Sequence, residues 1–446
     1  MGSASHSQTV RIAISGYYGF RNSGDEAVLR SILLALEEQG SAQGVRVQPV
    51  VLSADPESTS AMYGVEAAHR MRPADILRTL RGCDGLISGG GSLLQDATGA
   101  MTIPYYAGIM KLAQLLGKPT FAYAQGIGPV NRRWMDPLIR GIMKRSAYVS
   151  VRDAESAALL ARIGVKADRI EIVPDPVMGL PLPAGAAETA AAARAGAGDS
   201  AKAPAGADSA SRTPLEAVTS AVLLDAGASP GTEPQDSAIA SSANTDAAPQ
   251  DSASASPASE LPPIVGVSLR RWREDGADMA RAAEALVALS KRKPVRLRFL
   301  PFHTPSDRVT SEEVMERLRG RLGEGSSAEL AEPGDDPQQM LLAVDGCDAL
   351  FGMRLHALIY AANRMVPMLG LSYDPKIDQF LHRIGLRAIG TTDELDPGAF
   401  AEAACSLLDH PDDWRRQHGP AIDLLKQQSQ QPAQQIITKL RQYRSR

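Results

Sequence analysis

What most limits the fold open to this chain is a pattern that starts, breaks off and starts again. Short apolar runs alternate with helical periodicity at 10–15, 46–53, 85–88, 120–124, 148–151 and 170–173, with helical stretches such as 26–39 and 109–116 between them. Ser23 and Glu26 have the spacing of a capping box at the start of the first helix. Strand–helix alternation predicts a parallel sheet covered on both faces, a Rossmann-like half. From about 183 to 262 the composition changes to Ala, Ser, Gly, Pro and Asp with almost no aromatic residue. Such a segment buries too little apolar surface to offset its ordering entropy, so it reads as a disordered linker, with one helical patch near 215–224. The alternation then resumes at 264–269, 295–299, 349–352 and 368–371, and the last sixty or so residues read as helices. Gly82-Cys83-Asp84 is echoed by Gly346-Cys347-Asp348, each leading into a strand. The expected architecture is α/β: a first Rossmann-like domain over 1–182, the linker over 183–262, a second domain over 263–385 and C-terminal helices over 386–446.

Composition bounds the partners. The net charge is −4 over 446 residues, so no overall field favours nucleic acid, and a bound anion needs local cations. The first residues lack the apolar core of a secretory signal, and no apolar run is long enough to span a bilayer, so the expected location is cytoplasmic. Cys83, Cys347 and Cys405 are odd in number and far apart, which fits free thiols in a reducing compartment. No metal-binding or serine-hydrolase motif is present, and neither a metal nor a cofactor is expected.

In open α/β sheets, ligands bind beyond the carboxyl ends of the strands, where helix N-termini also point. The residues there are cations: Arg152 before Asp153, an expected N-cap; Arg270 and Arg271; Arg354 and His356; and Lys376 behind Asp374 (N-cap) and Pro375. His303 and Asp307 follow another strand. Converging Arg, Lys and His make an anion site, with His available as acid or base. Taken singly, each arginine is as well explained by an interdomain ion pair, and His356 in its apolar helix by packing. The run Gly89, Gly90 and Gly91 lets backbone approach a phosphate, or else forms a tight packed turn. A second glycine loop is expected at 125–129. Tyr17, Tyr18 and Asn22 offer stacking and an amide to a sugar, with core tyrosines as the alternative.

Six segments together resemble the polysaccharide pyruvyl transferase family, most closely its CsaB-type cell-wall members. They are GYYGFRNSGDEAVL (16–29), ISGGGSLLQD (87–96), AQGIGPV (124–130), VRDAESAALL (151–160), MRLHALIYAA (353–362) and LGLSYDPKI (369–377). The resemblance implies two Rossmann-like domains facing a central cleft, as in GT-B glycosyltransferases. It further implies phosphoenolpyruvate as donor and a pyruvate ketal on a sugar as product, with phosphate released. The implied acceptor is a lipid-diphosphate-linked oligosaccharide containing N-acetylmannosamine, in a secondary cell-wall polymer that anchors S-layer proteins. By motif, the donor-binding roles fall on Arg152, Arg354 and Lys376, with Arg270 added by position, and the catalytic role on His356, expected to be protonated and to act as general acid. Tyr17, Tyr18, Asn22, Gly89, Gly90 and Gly91 are assigned to the acceptor. Such an acceptor implies transient contact with the inner leaflet. The basic C-terminal segment 437–446 is one route to it, and a helix packed back across the domains is the other reading of that segment. Two further functions fit the same cleft: a nucleotide-sugar glycosyltransferase and a non-catalytic glycan-binding protein.

Overall fold

The computed structural model describes residues 8–97, 99–186 and 261–444; the linker expected over 183–262 lies almost wholly outside them. The first half runs β1 (Gln8–Ser15), α1 (Ser23–Ala42), β2 (Val45–Ser53), α2 (Pro56–Tyr63), β3 (Glu66–His69), α3 (Pro73–Gly82) and β4 (Gly85–Ser88). It continues with β5 (Gly91–Leu94), α4 (Thr102–Leu115), β6 (Thr120–Ile127), α5 (Asp136–Arg145), β7 (Tyr148–Val151), α6 (Ala154–Arg162) and β8 (Glu171–Ile172). Its strands pair in parallel in the order β3-β2-β1-β4-β6-β7-β8, with β5 also on β6.

The second half repeats the scheme: β9 (Ile264–Ser268), α7 (Ala277–Arg292), β10 (Arg296–Phe299), α8 (Ser306–Leu318), β11 (Ser327–Leu330) and α9 (Pro337–Asp345). Then come β12 (Ala349–Gly352), α10 (Leu355–Asn363), β13 (Met368–Ser372), α11 (Pro375–Arg383) and β14 (Gly390–Thr391). The strand order, β11-β10-β9-β12-β13-β14, reverses direction between β9 and β12, as the first sheet's does between β1 and β4. Such reversals open the crevices in which α/β proteins bind ligands.

The Gly-Cys-Asp echo has a structural cause. Asp84 accepts from Arg11 N at 2.8 Å, and Asp348 accepts from Ile264 N at 2.8 Å, so each aspartate secures the backbone of its half's central strand. The adjacent thiols, Cys83 and Cys347, are buried, and burial pushes them up to about 11 and about 12.

Local chemistry fixes the helix starts near the cleft. Asp153 caps α6, accepting from Ser156 N at 2.7 Å, and Asp374 caps α11, accepting from Lys376 N at 2.9 Å. The capping box expected at Ser23 is displaced by one residue. Asn22 caps α1, accepting from Gly24 N at 3.1 Å, and Glu26 instead accepts from Gly19 N and the Tyr63 hydroxyl. An amide one residue earlier does the same work, and Glu26 is drawn into the core. The glycine loop expected at 125–129 begins inside β6, which runs on to Ile127.

The halves are tied directly. Asn363 donates to the carbonyls of Val177, Met178 and Leu180, Gln338 joins Arg30 to Pro181 O, and Asn22 bridges His303 through the backbone. Of the C-terminal helices, α12 (Pro397–Asp409) lies on the second half and α13 (Pro411–Ser429) follows it. The last, α14 (Gln431–Arg444), returns to α1, β6 and β7 of the first half. Its Ile436, Ile437 and Leu440 are buried, each contributing about 1.5–3 kcal/mol. Of the apolar residues in the segment considered for lipid contact, Ile437 and Leu440 are inside the core and Tyr443 is half exposed. No helix among the described residues is long and apolar enough to cross a membrane.

Candidate active site

Between the halves, at the carboxyl ends of both sheets, lies a cavity of about 190 Å³. The first half lines it with Asn22, Gly24, Asp25 and Arg152, the second with residues that include His303, Arg354, His356 and Lys376. Two larger grooves, of about 810 and 880 Å³, flank β2 and β3 and contain none of the expected site residues.

Arg152 leaves β7 and is held on two sides: Nη1 donates to Asp175 at 3.2 Å and Nη2 to Ser92 Oγ at 2.9 Å. Gly126 leaves room for it, since a Cβ there would lie 2.9 Å from Arg152 Nε. Asp175, itself buried, also stands 3.9 Å from His356 Nε2. His356 is in the first turn of α10, with 22 % of its side chain exposed and no hydrogen-bond partner for Nε2 among the described residues. Burial pushes its pKa down; Asp175 opposes this, and Arg152 and Arg354 reinforce it. Burial thus favours the neutral imidazole in the free site, against the imidazolium expected from the sequence. An arriving anion would restore the proton by opposing the two arginines.

Arg354 forms a two-point pair with Asp307, which is buried and also accepts from His303 N at 3.0 Å. The pair lies within the second half rather than between domains, and it largely matches the charge of Arg354 before any ligand arrives. Lys376 differs. Its ammonium reaches Ser92 Oγ at 3.3 Å, and burial, with Arg152 beside it, pushes its pKa down. A desolvated ammonium joined to a hydroxyl is ready to take an anion's charge. Arg270 stands apart from the cavity lining, packed over the Trp272 and Tyr373 rings at 5.3 and 5.4 Å, with Nη1 3.3 Å from the Tyr373 hydroxyl. It reaches the cavity through Tyr373, which lines the wall.

Asp25 supplies a second titratable group. It is the second residue after Ser23 in α1, and burial raises its pKa to about 7, with Glu26 and Asp175 adding to the rise and Arg152 opposing it. Gly24 sits directly against the histidine: a Cβ there would lie 2.3 Å from His356 Nδ1. The start of α1 therefore sets the position of the His356 ring.

The expected acceptor residues separate. Asn22 lines the cavity. Tyr18 is fully buried, so it cannot stack on a sugar; its ring fills the space that side chains at Gly16 and Gly89 would occupy. Gly89, Gly90 and Gly91 form a packed turn rather than an open cradle. A Cβ at Gly90 would meet Val28 at 2.7 Å, and one at Gly91, where φ is +90°, would meet Asp25 at 3.0 Å. The run leads into strand β5. Tyr17 is exposed outside the cavity and stacks on Phe20 with centroids 4.1 Å apart.

Asp175, Ser92, Gly24 and Asp25 were missed. Asp175 sits between two prolines just past a strand, and Asp25 read as an ordinary acid in a first helical turn. Only the burial of both, which sequence does not show, marks them out.

The fold is a two-domain α/β architecture of GT-B type whose cleft is lined by Arg152, Arg354, His356 and Lys376. A model of the polysaccharide pyruvyl transferase family matches residues 22–375, and the chain belongs to that family. A search of curated proteins found no match. Among solved structures, the chain is similar to Anabaena Alr3699/HepE in complex with UDP and glucose: 10 % identity, 97 % of this chain and all of that one covered, TM-score 0.52. It is also similar to the UDP-GlcNAc 2-epimerase of Methanocaldococcus jannaschii (10 % identity, 90 % and 93 % covered, TM-score 0.52). A glycosyltransferase from Rickettsia africae is comparable (10 % identity, 97 % and 98 % covered, TM-score 0.53). At such identity these likenesses concern the fold alone.

Proposed function

We propose that the protein transfers the pyruvyl unit of phosphoenolpyruvate to two hydroxyls of one sugar, forming a ketal and releasing phosphate. The observation that carries this reading is the cavity itself: Lys376 and Arg152 meet over Ser92 beside His356, within one small volume. At about 190 Å³ it falls below the roughly 300–1,000 Å³ of pockets that take drug-sized ligands, which suits a compact trianion better than a nucleotide sugar.

The balance is simple. The methylene carbon of the donor gains a proton and becomes the methyl group; the neighbouring carbon loses phosphate and gains two bonds to sugar oxygens. Of the two hydroxyl protons, one equivalent ends on the methyl group and one on phosphate. Lys376 and Arg152 hold the carboxylate and phosphate and stabilise the departing phosphate. His356 takes up a proton as the donor binds and delivers it to carbon, with the charge of Asp175, 3.9 Å from Nε2, favouring the imidazolium. Asp25, ionised above about pH 7, takes a hydroxyl proton from the acceptor. Asn22, in the cavity wall, offers its amide to the acceptor.

By the resemblance to CsaB-type members, the acceptor is a lipid-diphosphate-linked oligosaccharide carrying N-acetylmannosamine. The reaction then takes place in the cytoplasm, during assembly of a secondary cell-wall polymer that anchors S-layer proteins. Incubation with carbon-labelled phosphoenolpyruvate and this acceptor should give an acid-labile labelled glycolipid. Label that never leaves phosphoenolpyruvate, together with sugar transfer from a nucleotide sugar, would overturn the proposal in favour of a glycosyltransferase.

A further inference from the structure

Arg270 has no carboxylate partner among the described residues, whereas its neighbours do: Arg271 pairs with Glu313, and Arg273 with Asp275 and Asp393. The Arg270 guanidinium instead covers two rings, Trp272 at 5.3 Å and Tyr373 at 5.4 Å, and spends one donor on the Tyr373 hydroxyl at 3.3 Å. The rings themselves lie 4.8 Å apart, centroid to centroid. They come from the loops after β9 and β13, the strands on either side of β12, whose own loop carries Arg354 and leads to His356. Tyr373 lines the cavity, and Trp272, packed on it, is 50 % exposed.

This indole is held in place. Buried Asp278 accepts from Trp272 N at 2.8 Å and from Arg273 N at 3.1 Å, so a carboxylate withdrawn from solvent secures the backbone on which the ring stands. Tyr373 is secured in turn by Asp374, the cap of α11, directly after it. A large ring already fixed and half open to solvent loses little entropy when a ligand stacks on it. Beside it are the remaining donors of the Arg270 guanidinium, set in a planar fork. A flat apolar face flanked by several hydrogen-bond donors matches the two characters of a pyranose, whose C–H face stacks while its hydroxyls accept.

We propose that Trp272 and Arg270 form a sugar-binding subsite at the mouth of the cavity, taking the pyranose next to the one that reacts. The cavity, at about 190 Å³, has room for a small donor and the hydroxyls that attack it. An oligosaccharide must therefore leave it at the second sugar, and Tyr373 continues the wall from the cavity out to Trp272. Phosphoenolpyruvate has no ring face and is not the occupant. The subsite lies on the second half, whereas the sequence pointed to the first half for the whole acceptor. Sugar binding on this platform stands by itself; its place in the reacting acceptor rests on the proposed function.

The test is calorimetric titration of the full chain with the methyl glycoside of an N-acetylmannosamine-containing disaccharide, phosphoenolpyruvate being absent. Trp272→Ala should weaken binding by about tenfold and Arg270→Met by about fivefold, and Trp272→Phe should restore most of the first loss. Methyl N-acetylmannosaminide, which has no second sugar, should bind wild type and Trp272→Ala alike. Phosphoenolpyruvate affinity should also be the same in both, which a merely structural role for the indole would not allow. No disaccharide binding by the wild type, affinity unchanged in Trp272→Ala, a monosaccharide weakened as much as the disaccharide, or uridine bound through Trp272 in place of sugar would overturn the proposal. Failure of pyruvyl transfer is distinct: disaccharide bound through Trp272 without any phosphate released from phosphoenolpyruvate keeps the subsite and removes the reaction.

Discussion

Replacing Gly24 by alanine should disable the enzyme while leaving it folded. The new Cβ would lie 2.3 Å from His356 Nδ1, 2.6 Å from Cε1 and 2.9 Å from Cγ, where ordinary contact begins near 3.4 Å. The ring must therefore retreat by about 1 Å, away from α1. Misplacing a reacting group by that distance can cost about 10²-fold in rate. Overpacking costs about 1–3 kcal/mol of stability, partly offset by up to about 1 kcal/mol from alanine's greater helix propensity. Turnover should fall by about two orders of magnitude, with only a modest loss of stability in urea. The decisive comparison is the double variant. Once His356→Ala has removed the ring, the methyl group has nothing to displace, so Gly24→Ala should cost little more. Independent sites would add their effects to within about 0.5 kcal/mol. Wild-type turnover in Gly24→Ala, or full additivity in the pair, would refute the claim that α1 positions the catalytic ring.

Other consequences are equally open to measurement. Lys376→Ala and Arg152→Ala should each weaken phosphoenolpyruvate binding by about 10–100-fold, the loss expected of a charge-assisted hydrogen bond, as read by calorimetry; unchanged affinity in both contradicts the donor site. Turnover of the wild type should rise as pH increases through about 7, and Asp25→Asn should abolish that rise. The same group leaves a mark on stability. Because its folded pKa is raised above the ordinary carboxylate value of 3.8, its relative stabilisation is full below that value and lost as pH climbs to about 7, by roughly 4 kcal/mol at most. Asp25→Asn should flatten urea stability across that window, and an unaltered pH profile would reject the assignment. Asp307→Ala strands Arg354 without its partner and should destabilise the fold by about 3–5 kcal/mol; a loss under 1 kcal/mol would mean the pair is dispensable.

The sequence was most legible where burial is two-sided. Central strands such as β4, β7 and β12 are short apolar runs between turn residues, and they fall at the positions read for them. Edge strands β3 (Glu-Ala-Ala-His) and β11 (Ser-Ala-Glu-Leu) escaped, because a half-exposed strand carries no apolar run. At the site, Arg152, Arg354, His356 and Lys376 were found by their place at strand ends and all line one cavity. Asp175 and Ser92 were not, and Asp307, read at its own strand end, was not recognised as the partner of Arg354, since such pairings arise only when chain segments distant in sequence meet. For Tyr18 the sequence left a sugar contact and a core tyrosine open, and the packing against Gly16 and Gly89 decides for the core. The resemblance added the donor, which no spacing of residues could have supplied.

The most direct test of pyruvyl transfer is the rate of phosphate release from phosphoenolpyruvate, with and without a lipid-linked N-acetylmannosamine-containing disaccharide, in wild type and in His356→Ala. Release that requires the acceptor and falls by roughly 10²–10⁴-fold in the variant is the predicted result. Acceptor-dependent release that survives intact without His356 would contradict the assignment of the histidine, and no release with any sugar acceptor would contradict pyruvyl transfer itself.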